Sequence, residues 1–250
     1  SYPGPVRGAI FLSLGFIVAF IALYNLYRSV VIGASGGRTG VSVISNLYDQ
    51  RFRSRGPRIV AVGGGTGLAT VLKGLKAVTD NLTAVVTMAD DGGSSGRLRR
   101  ELGIPPPGDA RNCIVALSVY EPLIEDLFDY RFTGKGELTG HSLGNLLLAA
   151  LYDTQGGFEP ALKAAASILG LSGRVIPVSS NENLILRATV STGEVLTGES
   201  AIGASGASVE HLEILPDDAY VSESAVEAIA MADLVVVGPG SLYTSILPNL

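Results

Sequence analysis

The chain predicts an α/β fold, a mostly parallel sheet flanked by helices, preceded by a single N-terminal transmembrane helix. Three observations predict it. From Arg58 onward, short β-branched runs alternate with segments whose apolar residues recur at helical spacing. Three of those runs end in polar, Gly-rich loops. Ahead of them, "GAIFLSLGFIVAFIALY" (8–24) is free of charge.

The elements follow in order. "RIVAVGG" is a buried strand closing on glycines. "GLATVLKGLKAV" sets Leu68, Val71, Leu72 and Leu75 on one helical face. "LTAVVTMA" is a second strand, and "DARNCIVALSV" a helix. "HSLGNLLLAALYD" is a buried helix with Ser142 as its cap, and "EPALKAAASILG" is an amphipathic helix closed by Gly170. "GRVIPVS", "LILRATVS" and "EHLEILP" are strands. "SESAVEAIAMA" is a helix capped by Ser222 or Ser224, and "ADLVVVGPGS" a strand with a glycine turn. In a parallel sheet, ligands sit beyond the carboxyl ends of the strands. The loops Gly63–Gly67, Asp90–Gly96 and Gly238–Ser241 should therefore meet at one edge.

Composition narrows the function. Glycine is 32 of 250 residues, against a usual share of about 7%, with no collagen period, so the glycines serve turns and close approaches. The single cysteine, Cys113, fits a reducing compartment and reads as a small buried hydrophobe. Residues 1–58 hold seven arginines and one acid, and the remainder holds 11 basic against 22 acidic residues. An acidic domain argues against nucleic acid as a partner. Three readings compete for the apolar N-terminal stretch: a cleaved signal peptide, a buried helix and a membrane anchor. The anchor, about 8–26, is preferred for its length and its all-round apolarity. The arginines after it place the following domain on the cytoplasmic face of the plasma membrane. The expected division is 1–28 for the N-terminal region, 29–57 for an Arg-rich linker and 58–250 for a nucleotide-binding domain. The chain begins at Ser1 and stops inside an apolar run, so it reads as C-terminally truncated.

The loops carry the chemistry. "AVGGGTGLAT" joins a strand to a helix, so Gly63, Gly64, Gly65 and Gly67 bring backbone close to a ligand while the helix N-terminus offers free N–H groups. That favours phosphate, with Thr66 as a side-chain donor. Neither a G-x-G-x-x-G fingerprint nor a P-loop fits, which weighs against a nicotinamide-type oxidoreductase. "GGSSG" (92–96) formally matches a G-x-S-x-G elbow with Ser94 as nucleophile. Its context is poor: Asp90 and Asp91 stand between strand and serine, and the chain has only two histidines, His141 and His211. Ser94, Ser95 and the Gly96 N–H read instead as phosphate donors. Asp90 and Asp91 have three readings: turn caps, ribose acceptors, or ligands for Mg2+, the one metal these acids suggest. "GIPPPGDARNC" presents Asp109, Arg111 and Asn112 from a rigid turn, and "GHSLGN" opens the buried helix with His141, Ser142 and Asn145. For His141, ligand contact and cap are equally open.

"GGGTGLATVLKGLK", "ADDGGSSGRLRRELG", "PPGDARNC", "GHSLGNLLLAAL" and "ADLVVVGPGSLYTSILPNL" together resemble the gluconeogenesis factor (YvcK-like) family, in the superfamily of the CofD 2-phospho-L-lactate transferases. The resemblance covers about Arg58 to Leu250. It implies a modified Rossmann-like fold that binds a nucleotide-diphospho sugar of the UDP-N-acetylglucosamine type and regulates cell shape and envelope precursors, without established catalysis. Carried onto this chain, it lines a pocket with Gly63–Gly67, Asp90–Gly96, Asn112, His141, Asn145, and Gly238, Gly240 and Ser241. The alternative is the transferase relatives' reaction, moving a phospholactyl group from a guanosine carrier to a deazaflavin with Mg2+. The "GGSSGRLR" run and the "HSLGN" helix start favour the regulatory branch. The N-terminal segment lies outside the usual family pattern, and assembly of like subunits is left open.

Overall fold

The computed structural model describes residues 4–35, 51–179, 181 and 183–250, with side chains for all of these except 4–12, 29–35 and 121. Two compact units result, Ser1–Phe52 and Arg53–Leu250. The first contains helix α1 (Gly4–Ser35). Much of the expected linker, 36–50, lies outside the described residues.

The expected transmembrane helix is corrected. Among the described residues, no helix is long and apolar enough to cross a membrane. The membrane attachment inferred from that helix has no support among the described residues.

The second unit is built on a four-stranded parallel sheet, in the order β3-β2-β1-β7. Its strands are β1 (Ile59–Gly63), β2 (Leu82–Val86), β3 (Arg174–Pro177) and β7 (Leu234–Val237). Every residue of β1 and β2 is buried, which is why both read as continuous apolar runs rather than as alternation. Around the sheet lie α2 (Gly65–Leu75), α3 (Gly93–Leu102), α4 (Gly108–Leu117), α5 (Glu121–Asp129), α6 (Leu143–Gln155), α7 (Phe158–Leu169) and α9 (Glu223–Ala230). Leu68 and Leu72 of α2, Ile114 and Leu117 of α4, Phe128 of α5, Leu148 of α6 and Leu162 of α7 share one core with the strands. Each such side chain contributes about 1.5–3 kcal/mol on burial.

A second, antiparallel sheet has the order β5-β4-β6. It comprises β4 (Ile185–Val190), β5 (Val195–Thr197) and β6 (Val209–Leu215), with α8 (Glu199–Ser205) between the last two. Leu186, Ala188 and Ile202 form a small core with Ala89, the residue directly before Asp90. Asp91 Oδ1 accepts from the Ser200 N–H at 2.8 Å. The small sheet is thus fastened to the loop after β2, and it sets the start of α8 beside it.

Candidate functional site

Because β1, β2 and β7 are parallel neighbours, their carboxyl ends share one edge, and the three loops leave from there. The first and third pack on each other. A Cβ added to Gly63 would stand 3.8 Å from the Gly238 Cα, and one added to Gly67 would collide with the Pro239 carbonyl. Asn249 Nδ2 donates to the Gly63 carbonyl at 3.3 Å. Asp109 joins the first loop to the second. A Cβ on Gly64 would lie 2.5 Å from Asp109 Oδ2, and the Gly65 N–H donates to this carboxylate. A Cβ on Gly108 would lie 2.9 Å from Asp90 Oδ2 and 2.5 Å from Ser95 Oγ. Gly64, Gly67 and Gly108 are required by close approach, whereas Gly65 and Gly238 take positive φ, 64° and 84°.

Four helices, α2, α3, α4 and α6, begin at this end. Their free N–H groups and positive dipole ends favour an anion. Between α3, α4 and α6 lies a cleft of about 210 Å³, lined by Asp90, Gly92, Gly93, Ser94, Ser95, Gly108, Asp109, Arg111, Asn112, Arg131 and Asn145. Of the residues expected from sequence, Asp90, Ser94, Ser95, Asn112 and Asn145 line it. Gly63–Gly67, Gly238, Gly240 and Ser241 form the adjoining wall rather than the cleft itself. Thr66 is exposed on the first turn of α2. Asp91 turns away to hold Ser200, and Gly96 packs against the Asp91 carbonyl. His141 stands behind Ser94, its Nδ1 3.0 Å from Ser94 Oγ.

The polar network behind the cleft is buried. Asn145 Nδ2 donates to Ser94 Oγ at 3.1 Å. Ser142 caps α6, its Oγ accepting from the Asn145 N–H at 3.3 Å and from Arg111 Nη1 at 2.8 Å. Arg111 Nη2 donates to Asn112 Oδ1 at 2.8 Å and faces Asp129 at 3.5 Å. Arg111 Nε and Asn145 Oδ1 are buried without a hydrogen-bond partner among the described residues.

The charges pull in both directions. Burial raises the Asp109 carboxyl to about 6, with Asp90 adding to the rise and Gly65 and Arg111 opposing it. Burial raises Glu199, at the start of α8, to about 8, with Asp109, Asp90 and Asp91 adding and a Thr244 hydrogen bond opposing. Burial lowers the Arg111 guanidinium, with Asp129 countering it most. Burial and then Arg97 lower His141, with Glu101 opposing, so the imidazole is neutral near pH 7. Among the described residues, no group of three His, Cys, Asp or Glu could hold a metal ion. The donor set nevertheless suits Mg2+, which takes one or two carboxylates and completes its shell with water and substrate phosphate. Asp90 and Asp109 are the carboxylates that line the cleft, and there the ion would neutralise phosphate charge.

The family described as 2-phospho-L-lactate transferase CofD matches residues 59–250. The chain belongs to the CofD family. It is also similar to proteins named gluconeogenesis factors. It is 46% identical over 246 residues to the "Putative gluconeogenesis factor" of Clostridium acetobutylicum, covering 95% of this chain and 54% of that protein. It is 50% identical over 194 residues to the gluconeogenesis factor of Bacillus subtilis, covering 78% of this chain and 61% of that protein. A crystal structure of a UPF0052 family member from Bacillus halodurans shares 49% identity with a TM-score of 0.73, covering 77% of this chain and 62% of that one. This CofD-family chain spans between about half and three-fifths of the relatives it matches. The clostridial match also reaches well before Arg58, so the N-terminal segment has a counterpart in at least one relative.

Sequence reasoning passed over Glu199 and Arg131, and named Asp109 and Arg111 without assigning them to the site. The "PPGDARN" turn carried a signal for the last two. Arg131 and Glu199 reach the site only through tertiary structure.

Proposed function

We propose that this CofD-family chain binds a nucleotide-diphospho sugar of the UDP-N-acetylglucosamine type and regulates envelope-precursor metabolism and cell shape. One observation carries the reading: three helix N-termini, Arg111 and Arg131 surround a small cleft. Helix N-termini with arginine are a phosphate environment. At about 210 Å³ the cleft is below the ~300–1,000 Å³ of a whole small-molecule site, so it takes the diphosphate. The nucleoside and sugar then extend along the walls formed by Gly63–Gly67 and Gly238–Ser241. Thr66 contributes its hydroxyl, and Asp90 holds Mg2+ or a ribose hydroxyl.

Calorimetry on the full-length protein with UDP-N-acetylglucosamine tests this. Saturable binding is expected, weakened in Thr66→Ala and in Asp90→Ala by the about 1.5–3 kcal/mol of a charge-assisted hydrogen bond. No saturable heat at millimolar ligand overturns the reading, and unchanged affinity in both variants places the ligand elsewhere.

The acidic side of the site favours a second reading. Asp90 and Asp109 beside a phosphate cleft also suit a transferase that moves a phospholactyl group from a guanosine carrier to a deazaflavin with Mg2+. Product formation that stops on removal of Mg2+ supports it. Failure with Mg2+ present sinks it.

A further inference from the structure

In the sequence, Asp90 and Asp91 before it and a total of two histidines argue against Ser94 of the G-x-S-x-G run as a nucleophile. The fold supplies a histidine from 47 residues away: His141 Nδ1 is 3.0 Å from Ser94 Oγ, and both residues are buried. Two backbone bonds fix the histidine, His141 N to the Leu138 carbonyl and Phe132 N to the His141 carbonyl, each 3.0 Å. Ser94 lies in the first turn of α3 and lines the cleft with Arg111 and Arg131.

Counting hydrogens permits the contact to run from serine to histidine, in the tautomer with Nδ1 unprotonated. Asn145 Nδ2 donates to Ser94 Oγ, so that oxygen is an acceptor there. Serine has one hydrogen. A neutral imidazole with Nδ1 bare takes that hydrogen and leaves a serine lone pair facing the cleft. A nucleophile within hydrogen-bond reach of its base, at a helix N-terminus lined with cations, is the arrangement covalent catalysis uses.

We infer that Ser94 and His141 form a nucleophile–base pair that opens the diphosphate bridge of the bound ligand. The inference rests on the diphosphate reading of the cleft. In the first step Ser94 Oγ bonds to one phosphorus, its proton passes to His141 Nδ1, and the bridging P–O bond breaks. The departing phosphate keeps the bond's electron pair and takes the proton from His141. In the second step His141 takes a proton from water, the water oxygen bonds to the same phosphorus, the Ser94 Oγ–P bond breaks, and His141 returns the proton to Ser94 Oγ. One water is consumed, and a nucleoside monophosphate and a sugar 1-phosphate are released. The α3 N–H groups, Arg111 and Arg131 face the charge that builds on phosphorus.

The test uses full-length protein and UDP-N-acetylglucosamine with Mg2+, measuring binding by calorimetry, products by chromatography and Ser94 adducts by mass spectrometry after acid quench. Wild type is expected to release both products. Ser94→Ala should abolish turnover and adduct while saturable binding remains, weakened by about tenfold or less. His141→Gln keeps a hydrogen-bonding side chain but lacks the base, and should slow turnover by about 100-fold or more. The wild-type rate should fall as pH drops through the depressed His141 value, where protonation turns the serine hydrogen toward the cleft. Saturable binding without turnover overturns this inference and leaves the binding function standing. Turnover that survives in Ser94→Ala also overturns it. Absence of binding overturns both.

Discussion

Glu199 offers a clean test of the electrostatics. It sits at the start of α8, and burial plus Asp109, Asp90 and Asp91 raise its carboxyl to about 8 from an ordinary 4.5. The folded chain therefore holds a proton that the unfolded chain has released across much of the neutral range. A raised acid contributes stability that is fully present below the unfolded value and is lost as pH rises through the folded one. Between pH 6.5 and 8 the unfolded chain binds almost no proton at this site and the folded chain binds most of one. At about 1.4 kcal/mol per pH unit that window gives ~2 kcal/mol, and partial exposure of the group reduces it to ~1 kcal/mol. Asp109 titrates lower, to about 6, and His141 below its usual 6.5, so neither dominates this window. Asp233, Glu159 and Glu213 are lowered by their partners and act on the acid side. Urea unfolding at half-unit pH steps should show wild type losing stability from 6.5 to 8. Glu199→Gln should lose much less. Parallel curves for the two proteins over that window would refute the reasoning, because the proton would then belong elsewhere.

Three further outcomes follow from the geometry. In Gly64→Ala the new Cβ would sit 2.5 Å from Asp109 Oδ2 and 2.7 Å from Thr87 Cγ2, so thermal unfolding should show a loss of about 1–3 kcal/mol, and unchanged stability counts against the close approach. Ser142→Ala removes the cap of α6 and the partner of Arg111 Nη1, so urea unfolding should record a loss of about 2–4 kcal/mol. A loss below 1 kcal/mol would mean water replaces the hydroxyl. Arg111→Lys keeps the charge but loses the fork shared by Ser142 and Asn112, and calorimetry should show affinity for the diphosphate ligand falling about tenfold or more. Equal affinity would reduce Arg111 to a point charge.

The sequence showed the parts of the site that obey local rules. A parallel strand buried on both faces must be apolar throughout, and "RIVAVGG" and "LTAVVTMA" are. The carboxyl ends of parallel neighbours must share an edge, so the meeting of the three loops followed from strand order alone. The Ser142 cap and the Gly170 stop are single-residue signals, and both occur: Ser142 accepts from Asn145, and Gly170 adopts φ 60°. What escaped had no local rule. Helix α5 has nine residues and follows α4 closely, although Pro122 in its first turn and the spacing of Leu123, Ile124, Leu127 and Phe128 are helical signals. Strand β5 has three residues and α8 has seven, too short for any period to show. Glu199 is brought beside Asp90 only because the small sheet is fastened through Ala89 and Asp91. The N-terminal run misled for a related reason: at 17 uncharged residues it stands at the lower limit of a spanning helix, where length decides little.

The site's mixed charge decides what it can hold. Arginines alone would take any anion, and carboxylates alone would take a cation. Here Arg111 and Arg131 line the same 210 Å³ as Asp90 and Asp109. A bare phosphate brought against two carboxylates raises their proton affinity further, so such a site binds its anion best together with a proton or a divalent ion. The raised carboxyls of Asp109 and Glu199 show the same tension already present within the chain. A ligand that brings both signs, a diphosphate with its metal ion, relieves both halves of the site at once. A simple monoanion would satisfy Arg111 and leave the acids opposed.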